Sequence, residues 1–463
     1  TDANFLRYEL AVALAGDLVY TILAEGNAPV SNGLLGNLDP TVLLNDQYSL
    51  RLTVFDRGGN QTVATTTVQL GGNMKVGLFS LAFQDLNIPL AGIPISVTRT
   101  YDSRDKGKGD FGVGWRLGLQ TLRLRANRVP GTGWVRSTAG IVVSLAPTSE
   151  HKISLTLGDG RVEEFDMVVS PTSNIGSLDA TNVTGFVARP GTVGTLQVLG
   201  NTNLLILNGG AEDELVDDIT LNTYDPQLFR YTTLDGTLIE IDRGDGVRKI
   251  TDANGNSLTF DPNGIIHSTG RSVTFTRDLQ NRITQITDPL GRVQSYVYDG
   301  NGDLISHTNA LGAATRFKYD RSHGLIEMQD PTGNRAVRND YDAAGRLIAV
   351  TDANGNQITF TRNVSAQEEL ITDRRGNVNR VLYDARGNVL SSEKGVTING
   401  ALVNAVTTVT YDALNNETSH VDPDGLRSTG TFNGVLPLTR AVDPTGLNLT
   451  TSFAYNARND VAN

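Results

Sequence analysis

Short runs of alternating apolar and polar residues, separated by turns rich in Asp, Asn and Gly, cover most of the chain. Residues 357–362 alternate in the way that a strand with one buried face does, and residues 346–351 are rich in branched residues, which favour a strand. The stretches 342–345 and 352–356 predict turns, because Asp hydrogen-bonds to the following backbone and Gly adopts positive φ. No segment carries a sustained apolar stripe of helical period. The pattern therefore predicts an all-β protein built from short antiparallel hairpins.

Two markers recur through the second half of the chain with one period. Asp-x-x-Gly turns follow each other at steps of 21 or 22 residues, with one longer step of 49, at Asp288–Gly291, Asp330–Gly333, Asp352–Gly355, Asp373–Gly376, Asp422–Gly425 and Asp443–Gly446, with Asn309 beginning the same turn once. Tyr-Asp pairs lie between them, at Tyr298–Asp299, Tyr319–Asp320, Tyr341–Asp342, Tyr383–Asp384 and Tyr411–Asp412, with degenerate copies at Phe432–Asn433 and Tyr455–Asn456. A fixed period of this length indicates supersecondary units that bury their apolar faces by stacking on neighbours.

The Tyr-Asp pairs allow two interpretations. In the first, each Tyr packs against the adjacent unit and each Asp caps a turn, which explains why the pair recurs at the architectural period. On this basis we expect Tyr319, Tyr341 and Tyr383 to be partly buried. In the second, the tyrosine rings line a groove and stack on sugars. The packing interpretation is favoured, and the possibility of glycan binding stays open.

The repeats resemble the Rhs/YD-repeat family, whose units carry Tyr-Asp followed by Gly-Arg-Leu and a second Asp-x-x-Gly turn. Residues 341–347 followed by 352–355 are a near-complete copy of that unit. Residues 85–103 and 110–115 resemble the segment that opens the shell in this family. The resemblance implies a hollow β-shell wound from the repeats, which in bacterial members encloses a C-terminal toxin or other cargo.

The sequence divides into three predicted regions. Residues 48–55 and 62–70 resemble the last hairpin of an immunoglobulin-like domain, with Tyr48 where a tyrosine corner falls. The predicted regions are an immunoglobulin- or fibronectin-like β-sandwich, partial at its start, in residues 1–75, a shell-opening region of irregular β-structure in residues 76–230, and a YD-repeat array in residues 231–463. The long step of the repeat includes Asn399-Gly400, a strong two-residue turn signal, and predicts a lengthened hairpin there.

Composition narrows the class of protein. The 463 residues include no Cys and carry a formal charge of −11, so the sequence excludes disulfides and Cys-ligated zinc and argues against nucleic-acid partners. Hydrophobic residues make up 39% and aromatic residues 6%, which suits a wall one sheet thick. No apolar run reaches the roughly 18 residues of a transmembrane helix. We therefore expect a secreted or cell-surface protein without a transmembrane segment.

The sequence carries few patterns typical of catalytic or metal-binding sites. The five His residues have no metal-type spacing, and we interpret them as solvated or strand-facing. The Asp-x-Asn-Gly-Asn stretches at 252–256 and 352–356 match a calcium loop only in part, since Gly is misplaced and Glu is missing at the last position, and we interpret them as turns. Asp422 and Asp443 both begin Asp-Pro-x-Gly-Leu, which resembles the self-cleaving protease of toxin-bearing members, but the intervening 16 residues are two fewer than in that family. The sequence therefore predicts no enzyme, no cofactor and no bound metal.

The function expected from the resemblance is structural. The leading hypothesis is a segment of a shell wall that encapsulates and delivers a C-terminal toxin or cargo. The alternative is a secreted surface adhesin or fibre that binds glycans or cell wall without cargo. We expect the partners to be further parts of the same longer chain, with self-association possible through an open sheet edge at residues 450–455.

Overall fold

The structure of the protein is a computed structural model that describes residues 4–15, 20–72, 74–118, 122–398, 401–456 and 461. Short 3-10 helices lie at Pro40–Val42 and Val364–Ala366, and the described residues contain no α-helix. The Asn399-Gly400 turn signal lies outside the described residues. The all-β fold class predicted from the pattern is confirmed.

The first half of the chain carries nineteen strands in the order of the chain. The first four are β1 (Phe5–Leu14), β2 (Thr21–Gly26), β3 (Asp46–Asp56) and β4 (Gln61–Leu70). The next five are β5 (Ser80–Ile88), β6 (Ile95–Asp102), β7 (Lys108–Gly109), β8 (Gly112–Val113) and β9 (Trp115–Leu117). The others are β10 (Arg123–Ala126), β11 (Trp134–Ala139), β12 (Val142–Pro147), β13 (Lys152–Thr156), β14 (Val162–Ser170), β15 (Ser173–Ile175), β16 (Ala180–Ala188), β17 (Thr195–Val198), β18 (Asn203–Asn208) and β19 (Asp213–Asp217).

The second half is a regular succession of short strands. The first eleven are β20 (Leu228–Thr232), β21 (Leu238–Asp242), β22 (Gly246–Thr251), β23 (Ser257–Asp261), β24 (Gly264–His267), β25 (Ser272–Arg277), β26 (Ile283–Thr287), β27 (Val293–Tyr298), β28 (Leu304–Thr308), β29 (Ala314–Tyr319) and β30 (Leu325–Gln329). The remaining eleven are β31 (Arg335–Tyr341), β32 (Leu347–Thr351), β33 (Gln357–Asn363), β34 (Glu368–Thr372), β35 (Val378–Tyr383), β36 (Val389–Ile398), β37 (Ala401–Tyr411), β38 (Glu417–Val421), β39 (Arg427–Asn433), β40 (Leu436–Val442) and β41 (Leu449–Ser452).

The chain separates into two compact units, each built from separate stretches of the sequence. The first unit contains residues 1–71, 123–230 and 242–244, and the second contains residues 72–122, 231–241 and 245–463. The middle of the chain is therefore divided, since residues 72–122 cluster with the repeats and residues 123–230 cluster with the N-terminal strands. The division into three consecutive domains stays a prediction.

The first unit contains two antiparallel sheets. One has four strands in the order β2-β1-β3-β4, and the other has nine in the order β10-β13-β14-β16-β18-β19-β11-β12-β15. The carboxylate of Asp46, the first residue of β3, is buried and pairs with Arg123 and Arg125 of β10, each at 2.9 Å. The Tyr48 hydroxyl donates to the Leu44 carbonyl at 3.3 Å, four residues upstream. The immunoglobulin-like sandwich of residues 1–75 stays a prediction.

The second unit is dominated by the repeats. From β21 to β41 the strands follow one another in unbroken chain order across one antiparallel sheet. Turns after Tyr-Asp pairs (hereafter YD turns) lie at one end of the strands, and turns of the Asp-x-x-Gly series (DG turns) lie at the other, because consecutive strands reverse direction. This arrangement confirms the continuous antiparallel ribbon predicted from the repeat spacing.

The repeating turn has one hydrogen-bond pattern. The Asp Oδ1 atom accepts from the backbone N–H groups two and four residues later, so one carboxylate oxygen closes the whole turn. The pattern holds at Asp288, Asp299, Asp320, Asp330, Asp342, Asp352, Asp373, Asp384, Asp412 and Asp422. Asp443 departs from it, with φ of 52° and with Oδ2 accepting from the Leu447 N–H.

The long step of the repeat is a lengthened hairpin, as the spacing predicted. Strands β36 and β37 have 10 and 11 residues. Their backbone register runs from Ser391 opposite Thr408 to Ile398 opposite Ala401. The neighbouring strand β35 pairs only as far as Asn379 opposite Lys394, so the end of the hairpin extends beyond it.

Replacing a turn carboxylate tests the role of the Asp residues. Asp384 accepts from the N–H groups of Arg386 and Asn388, each at 2.9 Å, and from the Asn388 side chain at 3.0 Å. We expect Asp384→Ala to cost about 1–2 kcal/mol of unfolding free energy, because it leaves these donors without an acceptor. Urea titration measures the loss. Asp340→Ala, at an exposed strand position, is the control and should change stability by less than about 0.5 kcal/mol. Equal effects of the two substitutions would contradict the capping role.

Candidate functional site

A single stretch of the chain runs along the YD-turn ends of the repeat sheet, and we call residues 74–117 the strap. Backbone groups along the strap contact several different repeats. Met74 donates to the Gly387 carbonyl, Gly77 accepts from the Leu347 N–H, Val113 donates to the Gly302 carbonyl and Asp110 accepts from the Ile283 N–H, at 2.6, 3.0, 3.2 and 2.7 Å. The strap thus spans several units of the repeat sheet.

Two glycines allow this close approach. Gly112 has a φ of 95°, and a Cβ atom there would lie 2.5 Å from the Gly302 carbonyl oxygen. Gly77 has a φ of 73°, and its Cβ would lie 2.6 Å from the Arg346 Cβ. A larger residue at either position would therefore be strained by its own backbone and would push the strap away from the sheet.

The centre of the contact is a buried ion pair. Arg99 of β6 is fully buried, and its Nε and Nη2 atoms donate to the two carboxylate oxygens of Asp85 in β5, at 2.9 and 3.1 Å. Five aromatic rings surround the guanidinium at 4.7–6.0 Å from their centroids, namely Phe83, Phe111 and Trp115 of the strap and Tyr296 and Phe317 of the repeat sheet. A guanidinium in such a cage is held by cation–π attraction as well as by its carboxylate.

Polar groups of the repeat sheet complete the network around Asp85. The Tyr296 hydroxyl donates to Asp85 Oδ2 at 2.9 Å, and the Gln294 amide donates to the Asp85 backbone carbonyl. His307 of β28 lies with Nε2 at 2.8 Å from Gln294 Oε1, and its ring stacks on Tyr296 at 5.0 Å between centroids. Strap and repeats therefore share one buried, hydrogen-bonded core.

The tyrosines of the Tyr-Asp pairs bond from one repeat to the preceding one. The hydroxyl of Tyr319 donates to the Leu304 carbonyl at 2.9 Å, and that of Tyr341 donates to Leu325 at 3.0 Å. Tyr298 reaches Ile283 in the same way. Each of these tyrosines follows a β-bulge, which changes the pairing register by one residue at the end of the strand. We call this set of hydroxyl hydrogen bonds the tyrosine ladder. It supports the packing interpretation of the Tyr-Asp pairs.

The strap extends this ladder with its own aromatic residues. Trp115 Nε1 donates to the Tyr319 hydroxyl at 2.8 Å. The Tyr101 hydroxyl donates to the His323 carbonyl at 2.8 Å and accepts from the Leu325 N–H at 2.9 Å. Trp115 and Tyr101 are both buried, with ring centroids 5.1 Å apart. Two strap side chains are therefore built into the bonding of two consecutive repeats.

The sequence-predicted residues fall into two sets in the structure. The Tyr members of the pairs lie at the YD-turn ends, and Tyr383 is buried while Tyr319 and Tyr341 are half-buried. The Asp members and the DG turns lie at the strand ends and are not brought together into one site. The carboxylates of Asp252 and Asp352 accept the side-chain amides of Asn256 and Asn356 within their own turns. The described residues contain no group of three or more His, Asp or Glu side chains that could hold a metal ion.

The residues of the buried cluster were not among those predicted from the sequence. Arg99 follows Ile95 and Val97 and precedes Tyr101 on the same, buried face of β6. A charged residue in a row of buried apolar residues requires a buried partner, and this signal identifies Arg99. Its partner Asp85 and the neighbouring His307 give no comparable signal, because they are distant in sequence.

Burial perturbs the pKa values of the aromatic hydroxyls. Burial raises the pKa of Tyr101, Tyr298, Tyr319 and Tyr341 above the ordinary value of tyrosine. In the DG turns the shift is opposite, since the hydrogen bond from the Asn377 side chain and those from the main chain lower the pKa of Asp373. The tyrosine ladder is therefore a set of neutral donors at physiological pH.

Alkaline pH tests the ladder. Because the tyrosine pKa is raised in the folded state, stability is fully present below the ordinary pKa of about 10 and falls as pH rises above it. We expect the urea midpoint to decrease as the pH is raised from about 9.5 to about 11. The decrease with pH should be smaller in Tyr319→Phe. Urea titrations and tyrosinate absorbance measure these changes. If the tyrosines titrated near pH 10 in the folded protein, the buried ladder would be contradicted.

Family comparisons agree with this geometry. Residues 217–419 match the model of the teneurin YD-shell, and residues 73–145 match a domain of unknown function, DUF6531. The second match covers the strap. Together with the repeating Tyr-Asp geometry, these matches define a β-shell wall as the class of protein. Residues 217–419 are repeats of the Rhs/YD-shell type, and these matched repeats have a structural role.

Curated relatives match over short stretches. The double-stranded DNA deaminase toxin A of Burkholderia cenocepacia is 30% identical over 146 residues, which is 24% of this chain and 10% of the relative. The tRNA3(Ser)-specific nuclease WapA of Bacillus spizizenii is 26% identical over 190 residues, or 39% and 8%. The toxin protein Tse5 of Pseudomonas aeruginosa is 35% identical over 81 residues, or 17% and 6%. The matches span a tenth or less of the length of these relatives.

Solved structures also resemble the chain. The crystal structure of TcdB2-TccC3-Cdc42 matches with a TM-score of 0.38 and 12% identity, covering 93% of this chain and 28% of that one. The Photorhabdus luminescens Tc holotoxin pore with a mutated TccC3 matches with a TM-score of 0.37 and 12% identity, covering 89% and 27%. No helix among the described residues is long and apolar enough to cross a membrane.

Proposed function

We propose that this chain forms part of the wall of a shell that encloses and delivers a C-terminal toxin or other cargo, and that it acts outside the cell that makes it. The proposal rests on the matched YD-shell repeats and on one observation, an apolar row that continues along the face to which the strap docks. Further repeats and the cargo would belong to the same longer chain.

The apolar row follows the register of the sheet. Side chains directly opposite each other on antiparallel strands lie on the same face. Starting from Phe317, which packs beside the Arg99 cage, the row passes through Met328, Val337, Val350, Ile358, Phe360 and Ile371 by strand pairing or by alternation along a strand. These later members are only half-buried. An apolar face of this kind suits the inside of an enclosure, where it contacts a polypeptide cargo.

An ion pair interrupts the row. Arg362 of β33 pairs with Glu369 of β34 at 2.7 Å, and both side chains are 7% exposed. Burial raises the pKa of Glu369, against the opposing effect of Arg362. The pair lies on the same face as Phe360, and Asn339, which stands opposite Val350, is a further polar residue on this face.

Limited proteolysis tests the proposal. The full-length natural protein that contains this segment is treated with protease under native conditions, with and without Arg99→Met, which breaks the ion pair of the strap. We expect the sequence that follows the repeats to be protected in the wild type and to be cut faster in the variant, because the shell is weakened. Cleavage of that sequence at equal rates in both, and as fast as in the urea-unfolded protein, would contradict enclosure.

The alternative function, a surface adhesin that binds glycans or cell wall, stays a prediction. The rings of Tyr298, Tyr319 and Tyr341 are engaged in hydrogen bonds to neighbouring repeats and are covered in part. They therefore give this alternative little support as a sugar-stacking groove. A glycan-array measurement on the purified chain distinguishes the two functions, since the enclosure proposal requires no glycan binding.

A further inference from the structure

His307 occupies the centre of the contact between strap and repeat sheet. It lies on β28, stacks on Tyr296 of β27 and faces Asp85 of β5, with 3.8 Å between His307 Nε2 and Asp85 Oδ1. The imidazole is buried. Its Nε2 atom serves as donor to Gln294 Oε1, since the Gln294 amide nitrogen donates to the Asp85 backbone carbonyl and leaves the amide oxygen as acceptor.

The groups around the His307 imidazole include one carboxylate, which balances only one positive charge. The charged and titratable groups that face His307 are Asp85 from β5, Arg99 from β6 and Tyr296 from its own sheet. Both oxygens of the Asp85 carboxylate already accept from Arg99, and one also accepts from the Tyr296 hydroxyl. A second proton on His307 would place an imidazolium and a guanidinium in one enclosure with a single carboxylate. Such an unbalanced buried charge is costly.

We propose that His307 makes the docking of the strap acid-sensitive, so that protonation of its imidazole loosens the β5–β6 hairpin from the repeat sheet. The released hairpin exposes His307 to water, where the imidazolium is solvated. The inference concerns the docking of the strap and holds whatever the shell encloses. Its biological meaning is an enclosure that is tight at neutral pH and weakened in an acidic compartment.

The direction of the linkage agrees with the geometry. Burial lowers the pKa of His307 to about 4, with Asp85 acting against this shift and Arg99 adding to it. A histidine with a lowered pKa in the docked state and an ordinary value near 6.5 when exposed weakens docking as pH falls from 6.5 towards 4. Above pH 6.5 the imidazole is neutral in both states, and docking is unaffected.

A second titrating group in the contact acts in the opposite direction. The Nδ1 atom of His323 lies 2.8 Å from Oδ1 of Asp303, and burial raises the pKa of Asp303. A carboxyl group whose pKa is raised in the folded state favours folding as pH falls, because the folded state binds its proton more tightly. The pH dependence of strap docking is therefore the net effect of His307 and Asp303. A variant at His307 is needed to isolate the contribution of His307.

Hydrogen exchange measures the docking directly. Protection factors of strap amides in residues 95–101 and 115–117 are compared at pH 7 and pH 4.5 for the wild-type chain, for His307→Gln and for His420→Gln. Glutamine retains an amide donor towards Gln294 but does not titrate. His420 is the control histidine, because 41% of its side chain is exposed. The intrinsic exchange rate at each pH is removed by expressing exchange as a protection factor.

The expected result is a specific difference between variants. The two pKa values predict that protection in the wild type falls about 60-fold more than in His307→Gln over this interval, and that His420→Gln follows the wild type. Parallel loss of protection in the wild type and His307→Gln would overturn the proposal. If His307→Gln does not fold, the histidine titrations are followed by NMR in His151→Gln, which removes the other buried histidine with a lowered pKa. One remaining histidine with a midpoint near 4 is then expected, and midpoints above 6 for all of them would overturn the proposal.

Discussion

Asp85→Ala is expected to lower the free energy of unfolding of the strap and repeat sheet by about 3–5 kcal/mol, because it leaves the Arg99 guanidinium buried without its carboxylate. The pair is enclosed almost completely, with side-chain exposures of 0% for Arg99 and 2% for Asp85. The Tyr296 hydroxyl also loses its acceptor. Urea titration, monitored by tryptophan fluorescence, to which the buried Trp115 contributes, measures the loss.

An ion pair whose cation is exposed is the control for this prediction. Lys318 pairs with Glu327 at 2.7 Å, but the lysine side chain is 64% exposed. Lys318→Ala should change stability by about 0.5 kcal/mol or less, since water screens the charges. The combined variant Asp85→Ala with Arg99→Met should recover part of the loss, because it removes the unpaired charge. A loss for Asp85→Ala as small as that of Lys318→Ala would contradict a buried ion-pair core.

Truncation of tyrosines of the Tyr-Asp pairs is expected to have the next largest effect. Tyr319→Ala, Tyr341→Ala and Tyr383→Ala should each cost about 2–4 kcal/mol, as other large buried truncations do. Tyr319→Ala should fall at the upper end of this range, since it also removes the acceptor of the Trp115 indole N–H. Urea titrations of the single variants measure these changes.

Val297 provides the control position for the ladder. It is half-exposed on β27, one residue before Tyr298. Val297→Ala should cost about 1 kcal/mol or less, which is the range of strand preference at a surface position. If the tyrosine variants do not exceed this cost, the rings contribute no more than surface residues, and the packing interpretation is wrong.

The regular part of the fold could be read from the sequence because its determinants are local. Each Asp-x-x-Gly turn is closed by its own carboxylate, as at Asp342, where Oδ1 accepts from the Ala344 and Arg346 N–H groups. Turns this tight direct consecutive strands to pair with each other, so consecutive hairpins and one antiparallel sheet follow. The lengthened hairpin of β36 and β37 was predictable for the same reason, since a longer step between turns requires longer strands.

The strap and its buried cluster could not be predicted, because they depend on contacts between distant parts of the chain. Tyr101 bonds to residues more than 200 positions away, at His323 and Leu325. The resemblance to the family identified this stretch as the opening of a shell, but it gave neither the order in which the strap meets the repeats nor the role of His307. Alternation along β6 identified its buried face, while the partners on the repeat sheet follow only from the fold.

The tyrosine ladder occupies an intermediate position. Its period and the types of residue were visible in the sequence, and burial of the rings was expected. The acceptors were not, because the hydroxyl of Tyr341 reaches the Leu325 carbonyl across a β-bulge between Asp340 and Tyr341. A bulge changes the register by one residue without altering the repeat length, so spacing alone does not reveal it.

Hydrogen exchange at two backbone amides tests the central claim, a strap docked along the YD-turn ends of the repeat sheet, most directly. The N–H of Leu325 donates to the Tyr101 hydroxyl, and that of Leu347 donates to the Gly77 carbonyl. Both acceptors belong to the strap, so these amides should exchange slowly in the folded chain, and Leu325 should exchange faster in Trp115→Ala. Exchange of both amides within about tenfold of the rate for an unstructured chain would show that the strap is not docked there and would contradict the account.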